Sequence, residues 1–152
     1  EKSYTFFAME ESLKKTNFLT KKVWDVFNVE RCVKVWDRLD WHIVSGHVDT
    51  IWEVSNIVKN NDSSVEVFVK FEPDFSKYII PKWSITINWT SLTIVQEWSD
   101  FLSVSLIPIT QEITNLWQLK VWDKVNLEFD IVGKYIYKNS PPSKSPPSRG
   151  DF

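Results

Sequence analysis

Apolar and polar residues alternate along the middle of the chain, and this alternation constrains the fold more than any other feature of the sequence. Three segments carry it, at positions 65–71, 83–98 and 102–106. A period of two places successive side chains on opposite faces of a β-strand. The middle of the chain is therefore predicted to form antiparallel strands with one apolar face and one wetter face.

A further hairpin is predicted immediately before these strands. Ser45 and Gly46 are typical of a two-residue turn between antiparallel strands. With that turn, Ile43 pairs with Val48 and the strands extend over positions 41–54.

The amino-terminal part changes its pattern twice. The aromatic segment 3–9 favours a strand. From Thr20 the apolar residues recur at steps of three and four, which predicts a helix, and Asn28 can cap a second helix that continues to about Leu39.

The segment after Pro108 decides the fold. Apolar residues spaced by three or four run from Ile109 to Ile136 and predict one long amphipathic helix that begins at Pro108. A strand is the open alternative for 125–137, where apolar residues also alternate. Gly133 weakens the helix by about 1 kcal/mol relative to Ala. Helix remains the expectation.

A length of 152 residues suits one domain with a buried core. We expect this domain to span residues 1–138. Residues 139–152 are rich in Pro and Ser and contain Arg149-Gly150-Asp151, and this composition predicts an extended, mobile tail.

The predicted order is a strand, two short helices, a series of antiparallel strands and a long helix. This order resembles the START-like helix-grip fold of the SRPBCC superfamily, and the segment KVWDVFNVERCVKVWD at 22–37 is similar to that family's first pair of helices. The resemblance implies an α+β fold in which a curved antiparallel sheet of about seven strands wraps around the carboxy-terminal helix. A cavity would lie between them.

Members of that superfamily bind lipids, hormones and other apolar small molecules. The resemblance therefore implies an apolar or lipid-like ligand, no cofactor, and a cavity walled by the tryptophans, of which the chain has nine beside only three glycines. Burial of apolar ligand surface would supply about 25 cal/mol per Å². The implied lining residues are Trp52, Val67, Ile85, Ile87, Trp89, Ile94, Trp98, Val104, Trp117 and Val121.

Composition limits the other partners and the compartment. A net charge of −2 and a pI near 5.7 argue against a nucleic-acid binder. No apolar run is long enough for a membrane span. Cys32 stands alone, so an intrachain disulfide is excluded. We expect a cytoplasmic protein, with export left open.

No catalytic set can be identified, and an enzyme is the less favoured reading. His42, His47 and Asp49 share one face of the predicted hairpin and are weak candidates for a metal site. Glu128 and Asp130 would share a face if 125–137 is a strand, as a metal-dependent hydrolase or nuclease could require. The remaining alternative is a purely structural or interaction protein that uses its aromatic residues for packing.

The tetrapeptide Lys-Val-Trp-Asp occurs at 22–25, 34–37 and 120–123. The distances between the three occurrences match no known repeat architecture, so the repetition is interpreted as a coincidence of composition.

Overall fold

A computed structural model describes residues 3–140, and within them six antiparallel strands close into a barrel. The strands are β1 (Thr50–Lys59), β2 (Val65–Lys70), β3 (Ser84–Ile87), β4 (Thr90–Glu97), β5 (Phe101–Leu106) and β6 (Lys124–Phe129). Around the barrel they follow the order β1–β2–β5–β4–β3–β6. Closure pairs every strand with two neighbours and leaves no open sheet edge.

Short helices connect and cover the strands. They are α1 (Glu10–Lys15), α2 (Pro108–Ile113) and α3 (Ile131–Asn139), together with 3-10 helices at Asn17–Thr20, Pro73–Tyr78 and Asn115–Gln118. Residues 21–49 contain neither helix nor strand. None of the helices within residues 3–140 has the length and apolar character needed to cross a membrane.

The core lies inside the barrel and follows the predicted alternation. The inward residues are aliphatic in most strands, and Val54, Ile85, Leu102 and Leu127 are inaccessible to solvent. Their burial supplies the apolar free energy that holds the barrel closed. The three alternating segments form β-strands as predicted, but the segment 83–98 is divided at Asn88 and Trp89 into β3 and β4.

Aromatic side chains close one end of the barrel. The Trp52 ring lies 5.2 Å from Phe71 and 5.4 Å from Phe129. Tyr78, from the 3-10 helix, packs on Phe129 and on Tyr137 of α3, each at 5.5 Å. These contacts plug the barrel end that the strands alone would leave open.

The helix-grip prediction is wrong at its carboxy-terminal element. In place of one helix from Ile109 to Ile136, the chain forms α2, a 3-10 helix, β6 and α3. The apolar residues in this segment are spaced by three or four because short helical segments are followed by a strand whose alternate residues also fit a step of four. Since β6 is needed to close the barrel, six strands replace a sheet of about seven strands wrapped around a helix.

The amino-terminal predictions are also wrong. Residues 3–9 form no strand, 20–39 form no helix, and 41–49 form no hairpin arm; β1 begins only at Thr50. Most tryptophans do not face inward either: Trp52 alone of the nine is buried, and six are exposed. The mobile tail predicted for 139–152 lies outside the described residues from position 141 onward; Asn139 ends α3.

Two parts of the chain repeat the same local structure at a constant offset of 98 residues. α1 begins at Glu10 and α2 at Pro108, and the 3-10 helices begin at Asn17 and Asn115. We call residues 10–31 the first copy and residues 108–129 the second copy. The Lys-Val-Trp-Asp segments at 22–25 and 120–123 fall at equivalent positions, so interpreting them as a coincidence is wrong.

Candidate functional site

A row of polar side chains crosses the outer face of the barrel. Thr86 of β3 pairs in register with Ser91 of β4 on one side and with Glu128 of β6 on the other. Their neighbours in sequence point inward, which turns these three side chains outward. Thr86 and Glu128 are nevertheless buried, at 2% and 4% exposure. The chain must therefore cover the outer face here.

The covering segment is residues 40–49, which we call the strap. His42 reaches from it to the barrel: Nδ1 lies 2.7 Å from Ser91 Oγ, and Nε2 lies 3.1 Å from Thr86 Oγ1. Burial lowers the pKa of His42 below 6.5, and the nearby carboxylates of Asp130 and Glu128 only partly oppose this shift. The imidazole is therefore neutral at pH 7, with one donor and one acceptor nitrogen.

Glu128 fixes the strap at Ser45 and Gly46. Its Oε1 accepts hydrogen bonds from Ser45 N at 2.7 Å and Ser45 Oγ at 2.6 Å, and its Oε2 accepts one from Gly46 N at 3.0 Å. Bonds of this kind to a carboxylate are stronger than those between neutral groups. They compensate the desolvation of the buried carboxylate and orient the strap.

Asp49 anchors the carboxy-terminal end of the strap. Its Oδ2 accepts a hydrogen bond from Phe129 N at 2.8 Å and forms an ion pair with Lys134 Nζ of α3 at 2.5 Å. Glu128 and Asp49 thus hold the strap against one face of the barrel. His42 connects the strap to β4 through Ser91.

Asparagines join the two copies reciprocally. Asn126 Oδ1 accepts a hydrogen bond from Asn17 N at 2.7 Å, and at the equivalent position Asn28 Oδ1 accepts one from Asn115 N at 2.8 Å. Asn17 Nδ2 then donates to the carbonyl of Lys124, as Asn115 Nδ2 donates to that of Val26. These two hydrogen bonds are the same in both directions, whereas the bond from Asn126 Nδ2 to Asn17 Oδ1 at 2.9 Å has no counterpart at Asn115 Oδ1. The copies are therefore related by an approximate two-fold axis.

Two cavities adjoin these features. The asparagines and Phe27 and Trp89 surround a space of about 10 Å³, which suffices for about one water molecule. A larger space of about 280 Å³ opens at the barrel end beside Trp52, between Lys70 and Lys124. The Nε1 of Trp52 is buried and has no hydrogen-bond partner.

The ten residues expected to line a cavity lie partly inside and partly outside the barrel. Six belong to the packed interior: Trp52, Val67, Ile85, Ile87, Ile94 and Val104. Trp89 lies outside, stacked on Phe18 at 5.4 Å. Trp98, Trp117 and Val121 are 37%, 62% and 37% exposed. The helix that would have carried Trp117 and Val121 does not exist, and ligand contact by any of the ten stays a prediction.

The three weak metal candidates form hydrogen bonds or an ion pair with different partners. His42 bonds to Ser91 and Thr86, the His47 ring lies 3.0 Å from Ser45 Oγ, and Asp49 binds Lys134. Among residues 3–140 no three His, Cys, Asp or Glu side chains are grouped so that they could hold a metal ion.

Glu128 and Asp130 are also separated. The first is an outward side chain of β6, whereas Asp130 caps α3 by accepting a hydrogen bond from Val132 N at 2.9 Å. The shared strand face that a metal-dependent hydrolase or nuclease would have used is therefore absent.

A closed six-stranded barrel with a polar, strapped outer face defines a class of small ligand-binding domains rather than a helix-grip protein. The family model of the lumazine-binding domain matches residues 45–130, from the turn of the strap to the cap of α3. The chain belongs to the lumazine-binding domain family. The resemblance to the SRPBCC superfamily is wrong, whereas the expectation of a ligand-binding domain is confirmed.

Curated relatives support the assignment. Riboflavin synthase of Actinobacillus pleuropneumoniae is 41% identical over 133 residues, which cover 88% of this chain and 61% of that protein. Riboflavin synthase of Bacillus subtilis (strain 168) is 36% identical over 137 residues, covering 89% and 62%. The chain spans about three fifths of the length of these relatives.

Solved structures show the same fold. The structure of LumP complexed with 6,7-dimethyl-8-(1'-D-ribityl) lumazine superposes with a TM-score of 0.68 at 22% identity, covering 80% of this chain and 64% of that one. LumP complexed with riboflavin gives 0.65 at 23% identity, covering 80% and 65%. These ligands are polar heteroaromatics with a hydroxylated chain, and the prediction of an apolar or lipid-like partner is wrong.

The sequence contains a signal for the junction residues in its repeated tetrapeptide. Asn28 and Asn126 each follow a Lys-Val-Trp-Asp segment at the same distance, and each sits at the junction of the copies. Thr86 and Ser91 are polar residues within the alternating segment 83–98, but nothing in the sequence shows that a distant histidine covers them.

Proposed function

We propose that this chain binds a ribityl-substituted heteroaromatic of the lumazine and flavin class on the outer barrel face between the strap and β4. The observation that carries the proposal is the neutral imidazole of His42 held 2.7 Å from Ser91 Oγ. The family match and the ligands in the LumP structures support the choice of ligand class.

The ligand class requires both flat apolar contact and many hydrogen bonds. A ribityl chain carries hydroxyl groups, each of which donates and accepts. A neutral imidazole and a hydroxyl can do the same, so His42 and Ser91 can exchange the hydrogen bond between them for bonds to such a chain without burying an unpaired charge. Thr93 projects from the same face of β4 two residues further on and is exposed.

The barrel interior offers no alternative place for a ring system. Its side chains pack against one another, and Leu102 and Leu127 are fully buried. The cavity of about 10 Å³ beside Asn126 is far smaller than a ligand pocket of about 300 Å³ or more.

The barrel end is the competing location. Its space of about 280 Å³ approaches the size of a ligand pocket, and the unpaired Nε1 of Trp52 could donate to a ring carbonyl or nitrogen. Charged side chains dominate its rim: Glu53, Lys70, Glu72 and Lys124. Desolvating them against a neutral ligand would cost free energy. We therefore favour the outer face.

Titration with 6,7-dimethyl-8-ribityllumazine and with riboflavin, followed by ligand fluorescence, tests the proposal. We expect saturable binding of one ligand per chain and about 2- to 10-fold weaker binding in Ser91→Ala, the loss of one hydrogen bond. Ser55→Ala is the matched control, because Ser55 is an exposed serine on β1, away from the strap. Equal weakening by both substitutions, or no saturation, would contradict the proposal.

The identity to the riboflavin synthases favours a second candidate function, participation in riboflavin formation. Because the chain spans about three fifths of those proteins, this candidate concerns an activity of a longer protein. The test is the appearance of riboflavin when the chain is incubated with the ribityllumazine. Binding without riboflavin formation would leave the first proposal intact and reject the second for this chain.

A further inference from the structure

The three Lys-Val-Trp-Asp segments form the same turn. In each, the aspartate N–H donates to the lysine carbonyl at 3.0 or 3.1 Å, and the aspartate Oδ2 accepts from the lysine N–H at 2.9 Å. The tryptophan at the third position has a φ of 80° at Trp24, 75° at Trp36 and 79° at Trp122. A positive φ at the third position defines a type II turn, which normally carries glycine there.

Tryptophan is a poor residue for this conformation. Its Cβ clashes with the backbone at positive φ, and a bulky residue found there is a genuine outlier. The side chains gain little burial in return, since Trp24, Trp36 and Trp122 are 94%, 98% and 73% exposed. Burial of the indole rings therefore does not offset the backbone strain.

A fourth tryptophan repeats the anomaly in a different turn. Asn88 and Trp89 form the two-residue loop between β3 and β4, where Ile87 pairs with Thr90. Their φ values are 46° and 63°. Two positive φ angles define a type I′ turn, for which Asn-Gly is the preferred pair. Gly46, with a φ of 79°, shows the residue that this backbone conformation normally takes.

We propose that the protein carries glycine at positions 24, 36, 89 and 122 when it is made in its own cells. The codon there would be one that some genetic codes assign to tryptophan and others to glycine. Composition points the same way: nine tryptophans beside three glycines invert normal usage, in which glycine makes up about 7% of residues.

Three of the other five tryptophans also lie in unfavourable surroundings, although none of the five has a positive φ. Among them, Trp41 and Trp117 are 59% and 62% exposed, and the buried Trp52 leaves its Nε1 without a partner. These are unusual environments for an indole, whose N–H is normally bonded when it is buried. The proposal is independent of the ligand proposed above, because it rests on backbone angles and exposure.

Peptide mass spectrometry of the protein isolated from its native cells is the direct test. We expect the peptides that cover positions 24, 36, 89 and 122 to be lighter by the difference between a tryptophan and a glycine residue at each position. Tryptophan at these positions would overturn the proposal.

Substitution in the recombinant chain provides a second test. Trp36→Gly and Trp122→Gly should each raise the midpoint of thermal unfolding by a few degrees, because glycine removes the strain at positive φ. Trp36→Ala is the matched control: it removes the indole but keeps a Cβ, and it should give little or no gain. An equal gain from alanine and glycine would show that the side chain, and not the backbone angle, is the cause, and would overturn the argument.

Discussion

The two copies contain the same local elements but form different structures. In the second copy, the 3-10 helix and the Lys-Val-Trp-Asp turn lead into β6, which closes the barrel between β1 and β3. In the first copy, the same elements lead into residues 26–31, which form no strand and lie outside the barrel. Residues at equivalent positions form a strand in the second copy and an extended segment in the first.

The comparison separates local from tertiary determinants. The turn, its aspartate and the threonine that caps each 3-10 helix depend on neighbouring residues, and they recur in both copies: Thr16 Oγ1 accepts from Phe18 N as Thr114 Oγ1 accepts from Leu116 N. A strand depends on partners. Within the described part of the chain, residues 26–31 pair with no strand, and Val29 stays exposed.

The largest contrast is expected at the equivalent positions Leu127 and Val29. Leu127 is fully buried in the barrel, whereas Val29 is 85% exposed. Leu127→Ala should lower the free energy of unfolding by about 2–5 kcal/mol through the lost transfer free energy and the cavity left behind. Val29→Ala should change it by less than about 0.5 kcal/mol. Urea unfolding measures both, and similar losses would show that the first copy is packed in solution.

The glutamates at positions 128 and 30 are also equivalent. Glu128 is buried and accepts three hydrogen bonds from the strap, whereas Glu30 is exposed. Glu128→Ala should cost about 1.5–3 kcal/mol and should speed proteolysis within the strap. Glu30→Ala should do neither. If the strap stays protected in Glu128→Ala, the carboxylate does not hold it.

A smaller difference is expected between the reciprocal asparagines. Asn126 is 2% exposed and Asn28 is half-buried, although each accepts one backbone hydrogen bond from the other copy. Asn126→Ala should cost about 1–3 kcal/mol because it leaves a buried donor unpaired, and Asn28→Ala about 0.5–1.5 kcal/mol because water can replace it. Chemical denaturation of the two variants provides the comparison. Equal losses of unfolding free energy would mean that both asparagines are equally shielded from water.

The smallest effect concerns the pH dependence of stability. The pKa of His42 is lowered by burial, so below pH 6.5 the unfolded chain binds a proton that the folded chain resists. Stability should therefore fall as the pH decreases through 6.5 toward the lower folded-state pKa, and the loss should be complete below it. His42→Gln should flatten this part of the profile, measured by urea unfolding at several pH values. His47→Gln should keep the slope of the parent chain; a flattened profile there instead would show that His42 is not the group responsible.

The strands in the middle of the chain could be predicted because alternating apolar and polar residues indicate a strand with one buried face. These segments contain β2, β3, β4 and β5, four of the six barrel strands. The carboxy-terminal strand β6 could not be separated from a helix, because Val125 and Phe129 fit a step of four as well as a step of two. The strap was predicted as a hairpin because Ser45-Gly46 is typical of a two-residue turn, but residues 42–49 form no regular turn, and Glu128, distant in sequence, accepts hydrogen bonds from both N–H groups.

The candidate site was predictable only in part. The sequence indicates His42 as a candidate group together with His47 and Asp49, whereas in the structure His42 bonds to Ser91 and Thr86. Contacts between residues that lie far apart in sequence depend on the closure of the barrel, and no local pattern encodes them.

Hydrogen exchange in the presence and absence of 6,7-dimethyl-8-ribityllumazine tests the proposed binding face most directly, since it compares the two candidate locations in one experiment. The account predicts that the ligand slows exchange in the strap, at 42–47, and at 91–93 of β4, and leaves 51–53 and 70–72 at the barrel end unchanged. Slower exchange at 51–53 and 70–72, with the strap unaffected, would contradict it and place the ligand beside Trp52.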